Sequence, residues 1–117
     1  MRNISKPLVV ATVLAAAIAA PSTAFAGSVL NSKIAAIAIQ STQFAVIEFQ
    51  NTIVSKPFCH SGGNAMVVDV ATSKGRALLS LAQSAFLADV PVTATGTGSC
   101  TNVGSVLENV NQLTMRR

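Results

Sequence analysis

The side chains with the most distinctive chemistry in this sequence are two cysteines, Cys59 and Cys100, and a single histidine, His60. A metal ion would need further cysteine or histidine ligands at a regular spacing, and the sequence contains no such set. As a general base, His60 would need a nucleophile and an orienting group within reach, and no marker such as G-x-S-x-G is present. The alternative is a solvent-exposed loop histidine. We therefore expect no catalytic residue, no metal site and no cofactor.

The first residues have the pattern of an export signal. Arg2 and Lys6 precede an uncharged apolar run at residues 8–20, and the AFA triplet at residues 24–26 places small residues where a signal peptidase reads. The alternative is a membrane anchor, but the run is shorter than the roughly 20 residues that span a bilayer. We predict that residues 1–26 are a cleaved signal peptide and that residues 27–117 form one secreted or periplasmic domain. No membrane insertion is expected after cleavage.

Both cysteines lie beyond the predicted cleavage site, so they would meet an oxidising compartment. A lone pair of cysteines in such a compartment is most simply one disulfide, here between Cys59 and Cys100. The loop that this bond closes is about 40 residues long, and loop-entropy arithmetic gives a stabilisation on the order of 4 kcal/mol.

The charge of the chain is mild once the signal is removed. The full sequence carries a net charge of +4, and the six basic and four acidic residues beyond residue 26 leave +2. That value does not indicate binding to nucleic acid or to an anionic membrane. Glu48 and Asp69 lie on predicted strands whose neighbouring residues are apolar, either as surface charges or as buried partners of a basic residue.

The elements that would position these side chains are strands around one helix. Alternating apolar residues predict strands over 33–40 and 44–50, which a short polar link joins as a hairpin, although a short helix is an alternative for 33–40. A loop with a proline and two glycines then precedes a third strand over 65–71. Strands over 92–95 and roughly 107–115 follow the helix. The order is three strands, a helix and two strands, an α+β class that is mainly β.

The helix begins after Thr72 or Ser73, either of which is a suitable N-cap, and Pro91 prevents its continuation beyond Val90. The apolar stripe of this helix contains Leu78, Leu81, Ala82, Ala85 and Phe86, and the opposite face is polar with Leu87 exposed among its residues. Lys74 and Arg76 lie in the first turn, where the helix dipole disfavours cations.

The run KGRALLSLAQSAFLADVPVTATGTGSC resembles the B subunits of subtilase cytotoxin and their relatives in the typhoid and pertussis-like toxins, and related small exported bacterial proteins. The pattern of that family has a basic residue, a Met/Leu-Leu-Ser turn, an alanine-rich helix, a short break, a strand and Gly-x-Cys. The corresponding residues here are Arg76, Leu78, Leu79, Ser80, Ala82, Ala85, Val92, Gly98, Ser99 and Cys100.

This resemblance implies a small five-stranded barrel of the oligonucleotide/oligosaccharide-binding (OB) type, packed on one amphipathic helix. It further implies a homo-oligomeric ring, a pentamer in the toxin members, that recognises cell-surface glycans and can accompany a protein A subunit. In such a ring the polar helix face would meet a neighbouring subunit or the central channel, and otherwise it is simply solvated. The residues of this possible self-association face are Ser80, Gln83, Ser84 and Leu87.

Three functions follow from these observations. The first is an exported, non-catalytic binding or assembly module of the toxin B-subunit type. The second is a periplasmic or secreted structural protein with a protein partner and no glycan ligand. The chain contains no tryptophan or tyrosine, whose aromatic face or phenolic hydroxyl sugar sites usually use. The third is a small hydrolase, for which His60 would have to be essential.

Overall fold

The computed structural model describes residues 26–101 and 106–116. The elements, in chain order, are β1 (Ser28–Ser32), β2 (Ile34–Ile39), β3 (Phe44–Phe49), β4 (Ala65–Asp69), α1 (Ser73–Ala88), β5 (Val92–Gly96) and β6 (Val110–Met115). The predicted signal peptide lies outside the described residues except for Ala26, as do residues 102–105 and the terminal Arg117.

The strands form two three-stranded antiparallel sheets, with the orders β1-β5-β6 and β2-β3-β4. This confirms the prediction of a mainly β domain with one helix. The described residues contain six strands where five were predicted, because the segment before residue 33 is a strand of its own that pairs with β5.

The junction between β1 and β2 is where the chain passes from one sheet to the other. Asn31 adopts a left-handed conformation with φ of 46°, and the pairing register shifts between Val29 and Ser32. The side chain of Asn51 donates to the carbonyl oxygens of Leu30 and Asn31 at 3.2 and 3.3 Å. These bonds hold the turned backbone in place, and one continuous segment thereby serves both sheets.

The predicted hairpin between the second and third segments is confirmed. In it, β2 and β3 pair antiparallel, with Ile39 opposite Ala45 at the closed end. The hydroxyl of Ser41 accepts hydrogen bonds from the amides of Gln43 and Phe44 at 3.2 and 3.1 Å. The polar link that the sequence predicted is thus closed by a serine that bonds the backbone two and three residues further on.

One hydrophobic core fills the space between the sheets and the helix. Alternation along β3 turns Ala45, Ile47 and Phe49 inward, while Glu48 on the other face is exposed. The buried apolar residues are Val29, Ile34, Ala45, Ile47, Phe49, Ile53, Met66, Val67, Val68, Ala82, Ala85, Val92, Ala94, Val110 and Leu113.

Helix α1 begins as predicted. Thr72 is the N-cap, and its hydroxyl accepts from the amide of Gly75 at 2.9 Å. The two cations that the dipole disfavours have partners near the helix start, because Lys74 Nζ donates to Asn111 Oδ1 at 3.1 Å and Arg76 Nη1 donates to the carbonyl oxygens of residues 70 and 71. These bonds offset the unfavourable placement.

The last predicted strand was wrong at its start, since β6 begins at Val110 and not near Leu107. Asn109, just before β6, still pairs with the chain beyond β5, since its carbonyl oxygen accepts from the amide of Thr97 at 2.9 Å and its amide donates to the carbonyl oxygen of Ser99 at 3.0 Å. The same segment also contacts β4. The amide of Val67 donates to the carbonyl oxygen of Glu108 at 3.0 Å, and Val67 and Asn109 form an isolated parallel bridge. Long-range pairing therefore decides this boundary.

Candidate functional site

An open apolar groove lies between the C-terminal half of α1 and strand β2. Its volume is about 450 Å³, and its lining residues are Ile37, Ile39, Gln83, Phe86 and Leu87. Exposed fractions reach 84% for Leu87 and 62% for Ile39, so the groove offers large aliphatic side chains to solvent. An exposed cluster of this kind is typical of an interaction surface.

All four residues predicted for a self-association face are exposed on α1, but only two of them line the groove. Gln83 and Leu87 contribute to it, whereas the hydroxyl of Ser84 donates back to the carbonyl oxygen of Ser80 at 3.0 Å. The structure thus divides the predicted face into a groove side and a side whose serines bond within the helix.

Phe86, which the sequence places in the apolar stripe of the helix, is 44% exposed and lies outside the buried part of that stripe. The deepest contacts of the helix with the core are made by Ala82 and Ala85, which are 0% and 1% exposed, while Leu78, Leu79 and Leu81 pack against the core partly buried. Because the alanine side chains are small, they allow a close approach at the centre of the stripe, and the larger ring at its margin stays outside and contributes to the groove. Helical periodicity places Phe86 on the margin but does not measure the depth of the contact.

A second, smaller cleft of about 170 Å³ lies beside the start of α1. Its lining residues are Asp69, Thr72, Lys74, Gly75, Leu78, Thr97, Asn109 and Val110. Several polar groups here already have partners within the chain: Asp69 Oδ1 accepts from the amide of Ala71 at 2.9 Å, and the hydroxyl of Thr72 bonds both Asp69 and Gly75. This cleft is consequently a network that fixes the helix start.

Phe58 is the most exposed apolar residue in the described part of the chain, and it is fully exposed. It lies between Pro57, which is buried, and Cys59, which is exposed, on the loop that the disulfide links to the β5–β6 connection. An exposed aromatic ring on a disulfide-linked loop can bind either a protein or the apolar face of a sugar. Sequence reasoning missed this residue because nothing local distinguishes an outward ring from an inward one in a loop.

The predicted disulfide between Cys59 and Cys100 is confirmed, across a sequence separation of 41. Its neighbour His60 corrects the expectation of a solvent-exposed histidine, because it is only 7% exposed. His60 Nδ1 accepts from the amide of Glu108 at 3.0 Å, and Nε2 lies 2.8 Å from the carbonyl oxygen of Gly63. Both nitrogens are engaged by the main chain, so the ring holds the loop in place.

Glu108 is fully buried, with 0% exposure. Both of its carboxylate oxygens lie 3.0 Å from the amide nitrogen of Gly27, and Oε2 also accepts from the amide of Gly98 at 2.7 Å. No sequence pattern pointed to this residue, because Glu108 falls between Val106 and Val110 on one face of the predicted strand and fits its alternation. The donors that hold it come from positions distant in sequence.

The remaining carboxylates do not form a reactive cluster. Glu48 is exposed, and Asp69 is partly buried at the end of β4. Asp89 pairs with Lys33 at 2.9 Å on the surface, where such a pair contributes little to stability. Across residues 26–101 and 106–116, no three side chains of histidine, cysteine, aspartate or glutamate are grouped so that they could hold a metal ion.

No protein-family model, no curated protein and no solved structure matches this chain. In the part of the chain that the structure describes, no helix combines the length and the apolar character that crossing a bilayer requires.

Proposed function

We propose that this protein is an exported, non-catalytic assembly module that associates with further copies of itself through the groove between α1 and β2. The observation that carries the proposal is the joint exposure of Leu87 and Ile39 in one groove. The resemblance to toxin B subunits supports self-association, and the disulfide is consistent with the proposed export.

A second copy fits this groove better than a charged partner does. None of its lining side chains carries a charge, so binding would depend on apolar burial and not on electrostatic steering. Strand β2 is the terminal strand of the order β2-β3-β4, which leaves one of its edges outside that sheet. An edge beside an apolar groove is the kind of surface on which neighbouring strands add.

We further propose that the two sheets close into the five-stranded OB barrel that the resemblance implies. Two observations support it: the β1–β2 segment is shared by both sheets, and Val67 bridges Asn109 in parallel on the opposite side. Counting β1–β2 as one bent strand gives five strands in the predicted order. The amide of Val67 should then exchange with solvent as slowly as the amides of β3, and rapid exchange would contradict closure.

The assembly proposal is tested by the mass of the native particle. We expect the chain from Gly27 to Arg117 to form a multimer by native mass spectrometry and light scattering, and Leu87→Glu to convert it to monomer. Leu30→Glu is the matched control, because Leu30 is 65% exposed but lies on β1, outside the groove. A monomeric wild type, or equal loss of assembly in both variants, would refute the proposal.

Glycan recognition is a second candidate function, favoured by the exposed ring of Phe58. Aromatic rings stack on sugar faces, and this ring stands in solvent on a loop held by a disulfide. A glycan array would test it, with loss of binding expected for Phe58→Ala and unchanged binding for Leu30→Ala. Absence of any glycan signal from the assembled protein would leave the protein-partner function, in which a pull-down recovers a protein instead.

A further inference from the structure

The carboxylate of Glu108 is buried with main-chain donors and, among the described residues, without a cationic side chain. The one side-chain ion pair in residues 26–101 and 106–116 joins Lys33 to Asp89 on the surface. Burial of an ionised carboxylate costs several kcal/mol unless charge and hydrogen bonds compensate. The amides of Gly27 and Gly98 supply hydrogen bonds, but an amide carries no formal charge.

The Gly27 nitrogen faces both oxygens of the Glu108 carboxylate at the same distance, 3.0 Å. An amide has one hydrogen, which two acceptors at equal distance must share, whereas a terminal ammonium has three and can bond each oxygen separately.

The backbone at this position is held independently of whatever precedes it. The Gly27 carbonyl oxygen accepts from the amide of Gly96 at 2.8 Å, and Ser28 exchanges hydrogen bonds with Val54 at 2.9 and 2.8 Å. Gly27 is buried, while Ala26 is exposed. The chain therefore enters solvent at the bond that the sequence predicts to be cleaved.

Two positions beside the buried Glu108 carboxylate have room only for glycine. A Cβ atom on Gly27 would lie 2.5 Å from Glu108 Oε1, and one on Gly96 would collide with the same carboxylate. No other residue type fits either position without displacing Glu108. The first residue after the predicted cleavage site must therefore be glycine if the buried Glu108 carboxylate is to keep its position.

We propose that Glu108 is a binding site for the α-ammonium group that cleavage after Ala26 creates on Gly27, so that removal of the signal peptide completes the fold. This inference rests on the proposed export and processing. Hydrolysis of the Ala26–Gly27 peptide bond by a signal peptidase consumes one water, leaves a carboxylate on Ala26 and an amine on Gly27, and the amine takes up a proton. The ammonium then neutralises the buried carboxylate.

The test compares two purified, oxidised chains that differ by one residue, one starting at Gly27 and one starting at Ala26. The second chain keeps an amide at Gly27, and its added residue lies in solvent. We expect the Gly27 chain to melt at least about 4 °C higher, a shift that corresponds to about 1 kcal/mol in a domain of this size. The difference should vanish in Glu108→Gln and persist in the exposed control Glu48→Gln. Equal melting temperatures of the two wild-type chains, or a difference that persists in Glu108→Gln, would overturn the proposal.

If Glu108→Gln does not fold, the acylation rate of the α-amine tests the proposal instead. In the folded Gly27 chain, the α-amine should react with an acylating reagent at least ten-fold more slowly than in the folded Ala26 chain, and the two should react alike in denaturant. Equal rates in the folded state would overturn the proposal. The N-terminal residue of protein recovered from an exporting host is read separately. A start other than Gly27 would refute the proposed processing, while the two purified chains would still report on the pocket itself.

Discussion

The main-chain amide of Glu108 donates to Nδ1 of His60 at 3.0 Å, and this bond joins the disulfide loop to the segment that carries the buried carboxylate. It also places the hydrogen of the imidazole on Nε2, which then donates to the carbonyl oxygen of Gly63 at 2.8 Å. The only histidine of the chain is thereby a structural connector between two loops.

Replacement of His60 by alanine should lower the free energy of unfolding by about 2 kcal/mol or more, because it leaves a buried amide and a carbonyl oxygen without their partner. Urea denaturation of the oxidised protein measures this. Ser61→Ala is the control, since Ser61 is exposed and its hydrogen bond to Val106 uses the main chain. A loss below about 0.5 kcal/mol in His60→Ala would contradict the connecting role.

Loss of the disulfide should have a larger effect. The double variant Cys59→Ala/Cys100→Ala should be destabilised by about 4 kcal/mol, since the bond closes a loop with a sequence separation of 41. For a small domain with a total stability of about 5–15 kcal/mol, that loss brings unfolding close to working temperature. Thermal melts of wild type with and without a reductant give the same comparison. Identical melts would contradict the prediction.

Gly75→Ala should destabilise the protein, although alanine normally stabilises a helix relative to glycine by about 1 kcal/mol. A Cβ at position 75 would collide with the carbonyl oxygen of Asp69, so the first turn of α1 would have to move away from the end of β4. We expect a net loss of about 1–3 kcal/mol, typical of overpacking. Ser80→Ala, on the exposed face of the same helix, should be neutral or slightly stabilising. Stabilisation in both variants would show that the first turn has room to adjust.

The N-cap is a further measurable contribution. Thr72→Ala should cost about 1 kcal/mol, since the hydroxyl accepts from Gly75 and donates to the carbonyl oxygen of Asp69, both at 2.9 Å. Thr72→Ser keeps the hydroxyl and should recover most of the loss. Chemical denaturation monitored by circular dichroism separates the two variants. Equal stability of the alanine and serine variants would mean that the methyl group, and not the cap, matters.

The fold was predictable where neighbouring residues carry the signal. Alternation along 44–50, the polar link before it and the N-cap at Thr72 or Ser73 are signals that lie within a few residues, and the structure confirms the strand, the hairpin and the cap at Thr72. The disulfide was predictable for a different reason, because two cysteines allow only one pairing. The proposed groove was only half predictable: Leu87 interrupts a polar helix face, but the strand residues Ile37 and Ile39 give no local sign of exposure.

By itself, the sequence determined the order of the elements from residue 33 onward, the bounds of the helix and the pairing of the cysteines, because periodicity, capping and composition are local or countable properties. Only the tertiary structure decided that Glu108 and His60 are buried and that Phe58 and Phe86 reach solvent. The amide of Gly27 is 81 positions from the carboxylate that it contacts, and such convergence depends on how the sheets meet. Burial is a property of long-range packing, which a pattern along one chain segment does not encode.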